Sequence, residues 1–279
     1  MITTPNVKIN LGLNVIRKRE DGFHDLETLF VPYFGISDKL EIVVGDDFSR
    51  TSAAIFGKYA PEMIAQGISE DGKLMITIAR EEGVGWDPLK DLTAKAYQIL
   101  AADFDLPPVK IFLEKTSPVG AGLGGGSSDA AFALKMLDEL CGLGLDEQRL
   151  AEYASRLGSD CAFFIYNRPM IGEGRGEILT EYEIDLDGYD LQVLTPEGVA
   201  VSTKDAYGGI RPHLPEVSLR EALARPVDEW SEVLVNDFEE TVFAKYPELA
   251  AIKRSLYDSG AVYASMSGSG SALFALYGR

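Results

Sequence analysis

Residues 117 to 131 read SPVGAGLGGGSSDAA, placing five glycines, Gly120, Gly122, Gly124, Gly125 and Gly126, within seven positions. Glycine costs backbone entropy, so a run this dense is a poor connector and a good cradle. Successive backbone N–H groups that line a concavity, or that open a helix, attract anions without any cationic side chain. Three phosphate-binding readings compete. The Walker pattern G-x-x-x-x-G-K-[ST] is excluded because the loop has no lysine. The dinucleotide pattern G-x-G-x-x-G is formally met by Gly120, Gly122 and Gly125, but it requires a buried parallel strand entering a βαβ unit. Here the incoming VKIFLEK alternates, carries Lys110 and Glu114, and is followed by Pro118. The third reading is a long loop wrapped around a triphosphate. Ser127, Ser128 and Asp129 then open the next helix, and the hydroxyls bond phosphate oxygens or a magnesium shell. A glycine-rich connector with an ordinary Ser-Ser-Asp cap is the plain alternative.

Composition narrows what such a loop can serve. The chain has 279 residues, 46% of them hydrophobic, enough for two domains of ordinary size. A formal net charge of −18 argues against a nucleic-acid backbone or an anionic membrane as partner, since both need a basic field. No run of 18 apolar residues and no apolar leader after MITTPNVKIN is present, which points to a soluble cytoplasmic protein. Cys141 and Cys161 are too few for a disulfide framework, and His24 and His213 show no metal-ligand spacing with them.

The elements around the loop follow from periodicity. NVKINLGLNV alternates, with Val7, Ile9, Leu11, Leu13 and Val15 on one face and Lys8, Asn10, Gly12 and Asn14 on the other, which predicts a half-buried strand. Asp21-Gly22 predicts a hairpin into LETLFVPY, followed by a further strand KLEIVV, so an antiparallel sheet begins the protein. Residues 45–72 show little periodicity and read as loops around at most a short strand or helix. LMITIAR and VKIFLEK read as strands flanking a helix over DPLKDLTAKAYQILAADF. After the glycines, Ala130, Ala131, Leu134, Leu137, Leu140 and Cys141 recur at helical spacing, with Ser127 or Ser128 as N-cap and Gly142 as stop. A second helix runs from about Asp146 to Leu157. The pattern restarts near Arg168, dividing the chain into 1–167 and 168–279. LQVLTP reads as a strand, VDEWSEVLVNDFEETVFAKY and PELAAIKRSLYDSG as helices, and AVYASMSGSGSALFALYG as a closing strand pair.

PVGAGLGGGSSDAA resembles the motif of the GHMP kinases, named for galactokinase, homoserine kinase, mevalonate kinase and phosphomevalonate kinase. KINLGLNVIRKREDGFHDLETLF, LGSDCAFF, GEGRGEIL and MSGSGSALFAL extend the resemblance over nearly the whole chain, toward the branch whose acceptor alcohol carries cytidine diphosphate. The resemblance implies an α+β architecture: an N-terminal domain of a fold shared with a ribosomal protein, a ferredoxin-like C-terminal domain, and a cleft for ATP and the acceptor. It implies an ATP-dependent small-molecule kinase using Mg2+. It makes Pro118, Gly120, Gly122, Leu123, Gly124, Gly125, Gly126, Ser127 and Ser128 the ATP-binding loop, with Ser128 a magnesium ligand.

Two further groups would carry the chemistry. Asp160, in LGSDCAFF, reads on its residues alone as a helix cap; the resemblance makes it the group that orients or deprotonates the attacking hydroxyl. Lys8 reads alone as a solvent-facing lysine, and the resemblance makes it the catalytic partner of Asp160, with Asn10 beside it on the substrate. Phe23, His24 and Tyr207 fall where a cytosine would be stacked and read along its edge. Phe23 departs from the family tyrosine and lacks its hydroxyl, Asp91 stands where relatives often have asparagine, and MSGSGSALF would lie beside the phosphate loop. A kinase of the same family acting on homoserine, mevalonate or a sugar is the nearest alternative function. A catalytically silent nucleotide-binding sensor is the alternative of a different class. Monomer and homodimer both stay open.

Overall fold

The computed structural model describes residues 1–279. In chain order the elements are β1 (Ile2–Thr3), β2 (Asn6–Lys18), β3 (His24–Ser37), β4 (Lys39–Val44), α1 (Ser52–Lys58), β5 (Ile64–Ile68) and β6 (Leu74–Ala79). Then come α2 (Leu92–Ala101), β7 (Val109–Glu114), α3 (Gly125–Cys141), α4 (Glu147–Leu157), α5 (Cys161–Tyr166), β8 (Met170–Gly174), β9 (Ile178–Glu181) and β10 (Tyr189–Leu194). The last are α6 (Thr203–Gly208), α7 (Leu219–Leu223), α8 (Trp230–Val233), α9 (Phe238–Lys245), α10 (Pro247–Asp258), β11 (Tyr263–Met266) and β12 (Leu273–Gly278). No helix is long and apolar enough to cross a membrane.

Contacts gather these elements into two compact units, neither continuous in sequence. The first comprises Met1–Val7, Tyr33–Val119 and Gly124–Asn167; the second comprises Lys8–Pro32, Gly120–Leu123 and Arg168–Arg279. The chain therefore changes unit twice around the glycine loop.

In the first unit a five-stranded sheet has the order β1-β4-β7-β6-β5. Its β6–β7 pair is parallel, Leu74 facing Val109, and α2 lies in the connection between these two strands. Leu40, Ile42, Leu74, Ile76, Ile78, Ile111 and Leu113 are fully buried in the sheet, and Ala130, Ala131, Leu134 and Leu137 are fully buried on α3. α3 packs on α2, α4, α5 and β4. Residues 45–72 are more ordered than their weak periodicity suggests, holding both α1 and β5. The carboxylate of Glu41 fixes the approach to α1, accepting from Ser49 Oγ at 2.7 Å and from the backbone N–H of Arg50 at 2.8 Å and of Thr51 at 2.9 Å.

In the second unit β10-β12-β11 form an antiparallel sheet with α9 and α10, and the sheet β2-β3-β8-β9 lies in this unit apart from the ends of β2 and β3. Leu13 and Val15 share a core with Phe238, Val242, Leu249, Leu256, Met266 and Leu273. The alternating face read as exposed is buried: Lys8 and Asn10 are each 3% exposed and Asn14 is also buried. The long helix expected over residues 227–246 is broken at Leu234–Asp237. The break has a cause, because β2 ends its sheet and its outer edge needs partners. Leu13 donates to Val235 O at 2.8 Å and accepts from Asp237 N at 2.9 Å, while Val15 N donates to the Asp237 carboxylate at 2.6 Å.

Candidate active site

The glycine loop is built by two different means. Around Gly122 the backbone is wedged against the β11–β12 connection: a Cβ there would lie 2.0 Å from Ser267 O, and φ is +77°. Gly122 O accepts from Ser267 Oγ at 3.0 Å and from Lys8 Nζ at 2.8 Å. Ala272 N donates to Ala121 O at 3.1 Å, and Lys8 N to Leu123 O at 3.0 Å. MSGSGSALF thus lies beside residues 121–123, as its resemblance implied. Asn236 holds that segment, donating to Met266 O at 2.7 Å and Gly268 O at 2.9 Å.

Around α3 the loop becomes a helix start. Gly124 is the N-cap with φ +72°, so the helix begins at Gly125, and neither Ser127 nor Ser128 caps it. Glycine makes the difference, since it enters the left-handed region without penalty and turns the chain into the helix earlier than a side-chain cap would. The serines consequently sit in the first turn, where the N–H groups lack intrahelical acceptors. A Cβ on Gly126 would meet nothing within 4 Å. Pro118 and Gly120 are half-buried and exposed. Ser128 is fully buried and its Oγ has no hydrogen-bond partner.

Asp160 sits at the N-terminus of α5, half-buried, but its side chain makes no capping bond. The capping reading therefore loses its physical basis. Its segment reaches α3, because a Cβ on Gly158 would stand 3.2 Å from Cys161 Sγ and 4.0 Å from Ser127 Oγ. Burial pushes the Cys161 thiol up to about 12, with Asp160 adding to the rise against a bond from Ser127, so Cys161 stays protonated.

On β2, Lys8 Nζ donates to Asn10 Oδ1 at 2.5 Å, and Asn10 Nδ2 donates to Thr28 Oγ1 at 3.0 Å. Two strand residues on one face are thereby locked as a unit. Lys8 Nζ also lies 5.4 Å from the centre of the Phe30 ring.

The aromatic residues separate into two groups. His24 and Tyr207 stack with centroids 4.7 Å apart at 24°, and Phe238 meets Tyr207 edge-on at 4.7 Å. Tyr207 lies on α6. Burial, helped by the Lys18 charge, holds His24 below its ordinary value of 6.5. Phe23 stands apart at the β2–β3 turn, 53% exposed, with the Arg175 guanidinium 5.0 Å from its ring centre.

Comparison with known proteins adds the family. The pattern of the GHMP kinases N terminal domain matches residues 91–168, and that of the GHMP kinases C terminal matches residues 219–279. A Bacteroides thetaiotaomicron protein named 4-diphosphocytidyl-2-C-methyl-D-erythritol kinase is 47% identical over 277 residues, covering 99% of this chain and 92% of the relative. A Bacteroides fragilis protein of the same name is 46% identical over the same shares. The chain belongs to the GHMP kinases. A crystal structure titled as 4-(cytidine 5'-diphospho)-2C-methyl-D-erythritol kinase superposes with TM-score 0.75 at 29% identity, covering 99% of this chain and 90% of that one. Homoserine kinase from Cytophaga hutchinsonii, TM-score 0.64 at 16% identity, shares the fold.

This GHMP kinase also carries a charged cluster that sequence reasoning passed over. Lys115 and Asp38 are buried and joined by a short ion pair, and Lys115 Nζ donates to Asp129 Oδ2 at 2.7 Å. The one signal available was a lysine placed directly between an alternating strand and the loop's proline. Asn236 had no signal, being an asparagine inside an apparently continuous helix.

Proposed function

We infer that this chain transfers the terminal phosphoryl group of ATP to the 2-hydroxyl of 4-diphosphocytidyl-2-C-methyl-D-erythritol, a step in the non-mevalonate synthesis of isoprenoid precursors. The observation that carries the reading is identity of 46–47% across 99% of the chain to relatives of that name. The match spans the whole chain, including the nucleotide loop and the segments that hold the aromatics.

In this reading the hydroxyl oxygen attacks the γ-phosphorus, its proton passes to the Asp160 carboxylate, and the bond to the β–γ bridging oxygen breaks to release ADP. Asp160 stands at the N-terminus of α5 without making the side-chain capping bond, which supports the base role over the cap. Lys8, oriented by Asn10 and Gly122 O, places a positive charge to stabilise negative charge developing on the transferred group. Residues 118–128 receive the triphosphate through backbone N–H groups and the first turn of α3. Asn10, Phe23, His24 and Tyr207 serve the cytidine-bearing acceptor.

Magnesium fits Ser128, a buried hydroxyl oxygen without a partner in the chain. When bound, the ion neutralises charge on the β- and γ-phosphates.

A coupled ADP-release assay tests the reading. ADP release should require the cytidine-diphosphate acceptor and be absent with homoserine, mevalonate or galactose. Equal turnover of one of those alcohols would reassign the substrate, and ATP binding without turnover of any acceptor would leave a sensor.

A further inference from the structure

The cluster beneath the phosphate loop has a geometry that a simple buried ion pair lacks. The three acceptors of the Lys115 ammonium come from three places: Asp38 at the β3–β4 junction, Ser117 Oγ at 2.9 Å at the entry of the loop, and Asp129 Oδ2 at 2.7 Å on α3. Asp38 completes the frame. Its Oδ1 accepts from Thr116 N at 2.7 Å and Ser117 N at 2.6 Å, and its Oδ2 accepts from Ser117 Oγ at 2.6 Å. Gly125, the first helical residue, lies directly over these groups. A Cβ there would stand 2.3 Å from Ser117 Oγ and 3.0 Å from Lys115 Nζ. Entry and exit of the loop are thus pinned to one cation, and the absence of a side chain at Gly125 is what lets the helix settle onto it.

We propose that Lys115 is a positioning residue that clamps the two ends of the phosphate loop through Ser117, Asp38 and Asp129, setting how tightly the loop holds the triphosphate. The proposal rests on residues 118–128 being the phosphate loop.

The two aspartates respond differently to the same lysine. Burial pushes Asp129 well above the usual carboxylate range despite Lys115, with the Asp38 charge adding to the rise. Burial acts on Asp38 in the same direction, but the Lys115 charge and the donors from Lys115 and Ser117 outweigh it and hold Asp38 below its ordinary value. A buried ionic frame of this kind is a device for fixing one geometry more than for adding stability.

The test measures steady-state KM for ATP and for the acceptor, together with kcat and Tm, in the full chain. Removing Lys115 alone would strand the Asp38 charge, so the variants are Lys115→Met combined with Asp38→Asn, which deletes both charges, and Ser117→Ala, which cuts only the link to the loop entry. The clamp predicts that the double variant raises KM for ATP by about 10- to 100-fold, as displacement of a positioning element does, with acceptor KM held within about twofold. Ser117→Ala should shift KM for ATP in the same direction by a smaller factor, and it decides the question if the double variant does not fold. Unchanged KM for ATP in the folded variants, or equal rises for ATP and acceptor, would overturn the clamp. Gly126→Val checks the underlying reading separately, since its side chain enters space that no protein atom occupies. Unchanged ATP affinity in that variant would remove the phosphate-loop reading itself. Lost affinity there, with unchanged KM in the clamp variants, would remove the clamp alone.

Discussion

Gly122→Ala is the substitution whose effect follows most directly from the structure. The added methyl would begin 2.0 Å from Ser267 O, where real Cβ contacts essentially never fall below 3.0 Å, so the two backbones must part by about 1 Å. Neither neighbour is a side chain that can swing away. At φ +77° alanine also incurs a left-handed cost of about 1–2 kcal/mol. Relief of the overlap adds roughly 1–3 kcal/mol, giving a drop on the order of 10 °C in the unfolding temperature of the second unit. The moving atom that matters is Gly122 O, because it accepts from Lys8 Nζ. Carrying the ammonium about 1 Å off its position should lower kcat by on the order of 100-fold. Gly120→Ala is the matched control: its φ is +72° but a Cβ there meets nothing within 4 Å, so it carries the left-handed cost without the wedge. The assay is kcat at saturating ATP and acceptor, with calorimetric melting of both variants. Equal Tm and equal kcat for the two alanines would refute the wedge, and a lowered Tm with wild-type kcat would refute the part assigned to Lys8.

Asp160→Asn, which keeps the shape of the side chain, should lower kcat by about 10²- to 10⁴-fold with little change in Tm; a folded variant turning over within a few-fold of wild type would take Asp160 out of the reaction. Tyr207→Ala and Phe23→Ala should raise acceptor KM while leaving ATP affinity intact, by about 1–3 kcal/mol per stacked base. Isothermal titration with the acceptor decides between them, and because Phe23 lies outside the His24–Tyr207 stack the two effects should be separable. His24 gives a pH dependence. With its folded value held below 6.5, the folded state binds fewer protons than the unfolded state from 6.5 downward to that value, so stability is lost as the pH falls through this range. Denaturant titrations of wild type and His24→Gln across pH 7 to 5 should show a shallower loss in the variant, and identical slopes would contradict the burial of a neutral imidazole.

Loop and strand chemistry were legible in the sequence to different depths. The glycine run carries the proposed anion site because few other functions account for its entropy cost, and the closing strands and α3 followed from plain periodicity. β2 was misread on one face. Alternation reports where hydrocarbon is absent, and Lys8 and Asn10 are covered by each other, by Thr28 and by a loop carbonyl instead of water. The break between α8 and α9 was hidden for a related reason. Local propensity favours helix through Leu234–Asp237, but the unpaired edge of β2 takes those backbone groups, and no local pattern can record a demand made by residues more than two hundred positions away. The Lys115 cluster was unreadable because Asp38, Lys115 and Asp129 are scattered, each ordinary where it stands.

The interleaving of the two units governs the order in which the chain can mature on the ribosome. All three segments of the first unit have been translated once Asn167 is complete, whereas Lys8–Pro32 belongs with residues that emerge only afterwards. Leu13 and Val15 of this segment have core partners on α9, α10, β11 and β12, and β12 is both the central strand of its sheet and the last to be synthesised. During most of elongation the β2–β3 hairpin is therefore a sticky, half-covered ribbon. Chain synthesis, more than loop chemistry, sets the interval over which this kinase is open to aggregation, and nascent chains stalled between residues 168 and 272 should be the forms most dependent on chaperones.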